Sequence, residues 1–209
     1  MNNQKAYNSW AAIYDNNQNK TRDLDAVITP KVLSNYSFEN VLEIGCGTGK
    51  NTLWLVKQAK EVWAMDFSKE MLAKLKSKLG NYPLNLYETD IQKPWPIPNQ
   101  QVDLAITNLV LEHIQDLNFI FEEVARVLQV GGLFFVSELH PIKQYLGSKA
   151  RFEEGGETQV LDCYVHHISD YLESAKLAGF ECLDLQEWFD DNDKINPPRL
   201  VSFVFKLKR

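Results

Sequence analysis

The chain has 209 residues, with 22 lysines and arginines against 28 aspartates and glutamates, which gives a formal net charge of −6. A hydrophobic fraction of 44% and a charged fraction of 24% are typical of folded globular proteins and exclude a disordered or fibrous chain. The acidic balance argues against a nucleic-acid partner, and the lack of a long apolar run argues against a membrane span.

We therefore expect a single domain over residues 1–209, located in the cytoplasm. Its three cysteines, Cys46, Cys163 and Cys182, are far apart and form no Cys-x-x-Cys pair. They predict neither a disulfide framework nor a metal site built on thiolates, and we predict no bound metal.

The first 38 residues precede the first predicted strand. Tyr7, Trp10 and Tyr14 recur at helical spacing. We predict that residues 1–38 form a helical flap laid across the sheet.

From about residue 40, short apolar runs alternate with segments of helical period, the pattern of a parallel sheet flanked by helices. Five strands are predicted, over residues 41–44, 62–65, 84–88, 104–107 and 133–137. Ser68 is expected to cap a helix that Gly80 ends, and an apolar stripe from Ile114 to Leu128 predicts another helix.

This alternation lapses across residues 141–166, and we predict a substrate-side insertion over residues 140–167. Ser169 is expected to cap a helix that runs to Gly179. Strands follow at 181–188 and 200–207, and their connection is too short for a crossover helix. The two strands are therefore expected to pair antiparallel.

A glycine loop follows the first predicted strand, in the segment V-L-E-I-G-C-G-T-G of residues 41–49. Gly45 and Gly47 permit a tight turn and a close approach of the backbone to a ligand, although such a loop can also be purely structural. Asp66 ends the next predicted strand, where a carboxylate can accept hydrogen bonds from both hydroxyls of a ribose. Phe67 can pack on an adenine ring.

Two features weaken a nicotinamide dinucleotide interpretation. In the G-x-G-x-x-G fingerprint the third glycine would occupy position 50, which is Lys50. Glu43, two residues before Gly45, would repel a pyrophosphate and attract a cationic ligand.

These segments resemble the class I S-adenosylmethionine-dependent methyltransferases, in particular the small-molecule enzymes related to those of quinone biosynthesis. The resemblance rests on five segments in order: residues 43–49, Asp66, residues 89–91, 103–114 and 126–132. It implies an α/β fold, a Rossmann-like three-layer sandwich with a seven-stranded, mostly parallel sheet whose last strand is antiparallel. It also implies S-adenosylmethionine as cofactor and S-adenosylhomocysteine as product.

The resemblance also implies roles for individual residues. Glu43, Gly45, Cys46 and Gly47 belong to the cofactor loop, and Asp66 holds the ribose with Phe67 beside it. Asp90 accepts the adenine amino group and the backbone N–H of Ile91 meets a ring nitrogen, whereas Asn108 and Leu109 line the methionine end. Tyr14 and Arg22 lie in the flap, where Arg22 is either a clamp for the methionine carboxylate or a surface ion-pair partner.

Methyl transfer from a sulfonium is an in-line displacement that needs no protein nucleophile, but a general base helps when the acceptor carries a proton. Glu138 and His140, at the end of the fifth predicted strand, are our first candidates, although a histidine before Pro141 can simply hold a turn. His113 is the next candidate, ahead of His166 and His167.

We expect a small-molecule methyl acceptor, selected by residues 7–15 and by the irregular region 141–167. In that region four side chains can contact an aromatic or anionic acceptor: Tyr145, Arg151, Phe152 and Tyr164. Two other functions stay open at this point, a non-catalytic S-adenosylmethionine-binding regulatory protein and, less favoured, a nicotinamide-dependent dehydrogenase.

Overall fold

The chain folds around one seven-stranded mixed sheet, seen here in a computed structural model that describes residues 3–16, 18–80, 82–154 and 157–208, with residues 152–154 and 157–159 described by backbone alone. The strands are β1 Asn40–Ile44, β2 Glu61–Asp66, β3 Asn85–Glu88, β4 Val102–Asn108, β5 Leu128–Leu139, β6 Arg151–Glu154, β7 Glu157–Val160, β8 Phe180–Trp188 and β9 Leu200–Leu207. The large sheet has the order β3-β2-β1-β4-β5-β9-β8, and β6 and β7 form a separate hairpin.

Strands β1 to β5 pair in parallel, and β9 is antiparallel to both of its neighbours, β5 and β8. This confirms the seven-stranded, mostly parallel sheet with an antiparallel last strand. The order reverses at β1, because β2 lies on one side of it and β4 on the other. A crevice therefore opens at the carboxyl ends of β1 and β4, the usual ligand site of doubly wound sheets.

Helices cover both faces of the sheet, which completes three layers. The helices are α1 Asn3–Trp10, α2 Lys20–Leu33, α3 Thr52–Gln58, α4 Lys69–Leu79, α5 Leu117–Val127, α6 Pro141–Tyr145 and α7 Ile168–Leu177. On one face, α5 and α7 bury Phe121 and Tyr171 against Phe134 and Phe203 of the sheet. On the other, α2 and α3 pack Leu33 and Leu55 against alternate strand residues. None of the helices in the described ranges is long and apolar enough to cross a membrane.

The predicted caps of α4 are confirmed. The Ser68 side chain accepts a hydrogen bond from the backbone N–H of Met71 at 3.2 Å, and Gly80 ends the helix with a φ of +60°. The predicted cap of α7 at Ser169 is wrong, because the helix begins two residues earlier after His167. The carboxylate of Asp170 accepts a hydrogen bond from the N–H of His167 at 2.8 Å, a capping box that sets the earlier start.

The segment predicted to be irregular, residues 141–166, contains regular structure. It holds the short helix α6 and the β6–β7 hairpin. Within the described part of the chain, β6 and β7 pair only with each other, so the hairpin is not part of the large sheet.

Candidate active site

A cavity of about 510 Å³ lies at the carboxyl edge of the sheet, in the crevice beside β1. Its volume is within the range of small-molecule sites. Helix α1 closes one side with Asn3, Gln4 and Tyr7. Of the residues predicted from the sequence to contact the cofactor, nine line the cavity: Tyr14, Gly45, Gly47, Asp66, Phe67, Asp90, Ile91, Asn108 and Leu109.

The glycine loop forms one wall of the cavity. Gly45 and Gly47 have φ angles of +74° and +52°, which side-chain-bearing residues adopt only with strain. The N–H groups of Gly45 and Cys46 both donate to the carbonyl of Met65, at 2.8 and 3.0 Å, so the loop is tied to the end of β2. At Gly45 the loop also touches the segment after β4, since a Cβ there would lie 2.3 Å from a methyl of Val110.

Gly45→Ala is expected to destabilise the ligand-free protein by more than Gly47→Ala. Both substitutions meet the left-handed backbone penalty, about 1–2 kcal/mol, but only the alanine at position 45 collides with Val110, since a Cβ at Gly47 has no neighbour within 4 Å. Urea unfolding of the two variants measures the difference. Equal free energies of unfolding would contradict the close contact at Gly45.

Asp66 joins the glycine loop to the start of α4. Its carboxylate accepts hydrogen bonds from the N–H groups of Gly47 and Ser68, each at 2.8 Å and each on a different oxygen. A carboxylate has about four acceptor positions, so the carboxylate keeps acceptor capacity for a ligand hydroxyl beyond these two bonds. Burial raises the pKa of Asp66 to about 6.

The segment after β3 forms another part of the cavity lining. Asp90 accepts a hydrogen bond from the N–H of Gln92 at 3.1 Å and forms an ion pair of 3.2 Å with Lys93. Ile91 is buried, and its carbonyl accepts a hydrogen bond from the indole N–H of Trp95. The N–H of Thr89 donates to the carbonyl of Asp66, which places this segment beside the ribose candidate.

The end of β4 supplies Asn108 and Leu109. Leu109 has a φ of +58°, and its N–H donates to the carbonyl of Ser137 at 2.9 Å. The Asn108 side chain donates to Asp25 at 2.7 Å and to Thr29 at 2.9 Å. Asp25 and Thr29 both belong to α2 and were not predicted from the sequence, because their position depends on how α2 packs across the sheet.

Three residues predicted to contact the cofactor lie outside the cavity lining. Glu43 is buried and accepts a hydrogen bond from the hydroxyl of Thr52, and burial raises its pKa to about 8. Burial also raises the pKa of the Cys46 thiol. Arg22 is buried behind Tyr14: it donates to the Tyr14 carbonyl at 2.7 Å, and its guanidinium lies 4.0 Å from the ring centroid. Their contacts with the cofactor stay predictions.

The first two catalytic candidates also lie outside the lining. Glu138 is 1% exposed, and one of its oxygens accepts hydrogen bonds from the N–H groups of Val110 and Leu111, each at 2.9 Å. His140 caps α6: its Nδ1 accepts from the N–H of Ile142 and its Nε2 lies 2.9 Å from Glu187. Both side chains therefore hold backbone segments in place. For His140 this agrees with the alternative given above, in which the histidine holds a turn.

His113, the third candidate, does line the cavity. Its Nε2 lies 2.9 Å from the hydroxyl of Tyr7, and its Nδ1 lies 2.9 Å from the carbonyl of Asp162. Glu112, His113 and Cys163 bring one potential metal ligand each to within 4.8 Å of one another. In this structure Tyr7 and Asp162 contact the two ring nitrogens of His113, and the absence of a bound metal stays a prediction.

Among the predicted acceptor contacts, Tyr164 lines the cavity. Tyr145 is 58% exposed and its hydroxyl contacts His167. Arg151 is exposed, and the side chain of Phe152 lies outside the described residues.

The residues present fit S-adenosylmethionine. The charged side chains in the described lining are Asp66, Asp90, Asp162 and Lys93, apart from any charge on His113, and Lys93 is paired with Asp90. The cavity is therefore net acidic, which suits a ligand with a sulfonium and an ammonium. Asp66 keeps acceptor positions for hydroxyls, and the buried Oδ1 of Asn108 has no hydrogen-bond partner among the described residues.

Known proteins share this sequence and fold. A family model described as a methyltransferase domain matches residues 42–136. An uncharacterized methyltransferase of Emericella nidulans is 30% identical over 220 residues, covering 87% of this chain and 76% of that protein. A phosphoethanolamine N-methyltransferase of Triticum aestivum is 32% identical over 126 residues, 57% of this chain and 25% of the relative. The crystal structure of an S-adenosylmethionine-dependent methyltransferase from Clostridium acetobutylicum has a TM-score of 0.74 at 22% identity, covering 98% of this chain and 100% of that one.

The fold is a Rossmann-like sheet with a cavity for a small molecule at its carboxyl edge. The chain belongs to the class I S-adenosylmethionine-dependent methyltransferases. Its cofactor is S-adenosylmethionine and its activity is methyl transfer, which decides against the dehydrogenase and the non-catalytic alternatives. A closer relation to the quinone-biosynthesis enzymes stays a prediction.

Proposed function

We propose that this methyltransferase acts on a small-molecule acceptor held between α1 and the segment after β4, and that His113 takes a proton from it. The observation that carries the proposal is the pair of hydrogen bonds that fixes the His113 ring at the cavity wall. The N-methyl transfer to phosphoethanolamine named for the wheat relative supports a small acceptor. The net charge of −6 supports the exclusion of nucleic acid, and the cytoplasm stays the predicted location.

The partners of His113 define its tautomer. The carbonyl of Asp162 can only accept, so Nδ1 carries the hydrogen and Nε2 is the basic nitrogen. Nε2 accepts from the hydroxyl of Tyr7, and burial raises the pKa of Tyr7, which keeps that hydroxyl protonated. The amide of Asn3 donates to the same Asp162 carbonyl at 3.1 Å, so the arrangement is held from both sides.

When bound, S-adenosylmethionine supplies an electrophilic methyl group on a sulfonium. The chain's own residues then hold the acceptor in line and exclude water. Because Tyr7 occupies the lone pair of His113 Nε2, Nε2 receives the tyrosine's proton while the tyrosine oxygen takes the proton of the acceptor. An acceptor that must lose a proton, such as a hydroxyl or a protonated amine, therefore suits this site.

His113→Gln is expected to lower kcat by about 10²–10⁴-fold, the usual contribution of a general base, and to change the affinity for S-adenosylhomocysteine by less than threefold. Formation of S-adenosylhomocysteine is measured with phenols, amines and carboxylates as acceptors. His140→Gln, tested in parallel, separates the two candidate bases. A large loss of kcat in His140→Gln with none in His113→Gln would contradict the assignment, and turnover of none of these acceptors would contradict the proposed acceptor class.

A further inference from the structure

A second cavity, of about 370 Å³, lies between the start of α5 and helix α7. Among the described residues, none lines both this cavity and the active-site cavity. The charged side chains in its described lining are Asp116, Asp170 and Glu173, apart from any charge on His166. None of these three carboxylates forms an ion pair with a described residue. The described lining is therefore acidic, although acidity alone does not define a binding site.

Two buried polar side chains open into this second cavity. His166 is 8% exposed and Ser174 is 6% exposed, and both line it. The Nε2 of His166 lies 2.7 Å from the carbonyl of Ile114, which can only accept, so Nε2 carries the hydrogen and the Nδ1 of the neutral ring is an acceptor. Neither that Nδ1 nor the Ser174 Oγ has a hydrogen-bond partner among the described residues, and neither belongs to the unpartnered atoms that are fully buried. Both atoms therefore keep accessible surface in the cavity.

The free hydrogen-bonding groups of the lining suit a cation that carries N–H donors. The Glu173 carboxylate and the Oδ2 of Asp116 accept no hydrogen bond from a described residue. Asp116 and Asp170 cap α5 and α7, so carboxylates already cover the helix starts, where an anion would otherwise bind. The Nδ1 of His166 and the hydroxyl of Ser174 can each accept from an N–H group. Because no three potential metal ligands of this lining lie within 4.8 Å of one another among the described residues, an organic cation is favoured over a metal ion.

We propose that this second cavity binds a small organic diamine. Its ammonium groups would be held by Glu173 and Asp116, with N–H donors directed to the Nδ1 of His166 and the Oγ of Ser174. The inference goes beyond the methyl-transfer site, because it assigns a ligand to a cavity that is lined by other residues. His166 connects the two cavities, since Ile114, whose carbonyl it bonds, lines the active-site cavity.

Titration calorimetry with putrescine, a short alkane diamine, tests this site. The protein is first saturated with S-adenosylhomocysteine, so that the active-site cavity is occupied. We expect putrescine to bind with a Kd of about 1 mM or tighter, and the uncharged diol of the same length not to bind. The double variant Glu173→Gln/Ser174→Ala is expected to weaken putrescine at least tenfold, because it loses one charged and one neutral hydrogen bond.

Glu122→Gln is the matched control, because it removes the same charge from an exposed position of α5 outside the lining. It is expected to change the affinity for putrescine by less than twofold.

Four results would overturn the proposal: no binding of putrescine, equal binding of the diol, binding only in the absence of S-adenosylhomocysteine, or equal losses in Glu122→Gln and in the double variant. Should the double variant fail to fold, Glu173→Gln alone, at an exposed position of α7, is expected to weaken putrescine at least threefold. Wild-type affinity in that single variant would overturn the proposal as well. Tighter binding of Mg²⁺ than of putrescine at these residues would overturn the assigned class of ligand.

Discussion

Asp66→Ala is expected to weaken the binding of S-adenosylhomocysteine by at least about a hundredfold. Hydrogen bonds to a charged group contribute about 1.5–3 kcal/mol each, and the predicted role of Asp66 is to accept one from each of the two ribose hydroxyls. Loss of two such bonds exceeds the roughly 2.7 kcal/mol that a hundredfold change in affinity requires. Titration calorimetry measures the change directly.

The Asp66 carboxylate also accepts hydrogen bonds from backbone N–H groups that hold the glycine loop. The control variant must therefore remove a carboxylate that holds backbone in the same way but lies away from the cavity. Asp103 offers one, because it accepts hydrogen bonds from the N–H groups of Glu39 and Asn40 at 3.0–3.2 Å, at the opposite end of β1. Asp103→Ala is expected to lower stability without a change in affinity of more than about threefold. Near wild-type affinity of Asp66→Ala would refute the ribose assignment.

The pH dependence of this affinity gives a second readout of Asp66. Because burial raises its pKa to about 6, the carboxylate of the free enzyme is protonated below that pH. A ribose hydroxyl prefers the ionised form as acceptor, so affinity is expected to fall as the pH is lowered through about 6. A flat profile between pH 5 and 7 would contradict this combination of a raised Asp66 pKa and a hydrogen bond from the ligand to its carboxylate.

Stability of the ligand-free protein is expected to fall as the pH rises from about 6.5 to 8. Burial raises the pKa values of Glu43 and Glu138 from 4.5 to about 8 in the folded protein. Between pH 4.5 and pH 8, each glutamate has lost its proton in the unfolded state but keeps it in the folded state. Each group therefore lowers the free energy of unfolding by about 1.4 kcal/mol per pH unit, until the pH exceeds the raised pKa of the folded state.

Urea unfolding at several pH values, with Glu43→Gln and Glu138→Gln variants, measures this effect. Glutamine does not titrate, so each substitution is expected to flatten the profile, and the double variant most. The measurement is most informative above pH 6.5. Burial lowers the pKa of His140 from its ordinary 6.5, so below that pH this histidine makes stability rise with pH and opposes the effect of the two glutamates. Equal slopes for the wild-type and double-variant proteins would refute the raised pKa values.

Much of the fold was predictable because its signals are local. The five parallel strands are short apolar runs, and the antiparallel pairing of β8 and β9 follows from a connection too short for a crossover. The capping of α7 was misplaced because Ser169 and Asp170 are both capping residues. Only the conformation shows that the carboxylate of Asp170 bonds the N–H of His167.

The lining of the cavity was also largely predictable, since many of its residues follow the carboxyl end of a strand. Gly45, Asp66, Asp90 and Asn108 all reach the same cavity for that reason. Position at that edge did not suffice for Glu138 and His140, whose side chains bond the segment after β4 and the start of α6 instead. A position at the carboxyl edge of the sheet does not determine the direction of a side chain, because neighbouring loops can supply hydrogen-bond partners outside the cavity.

The sequence by itself determined the class of fold, the cofactor and the glycine loop after β1, because glycines, strand ends and caps act over a few residues. Only the tertiary structure decided that His113 meets Tyr7, 106 positions earlier, and that Asp25 meets Asn108, 83 positions later. These pairs join the N-terminal helices to the far end of β4. No local pattern encodes them, since they form only when α1 and α2 pack over the assembled sheet.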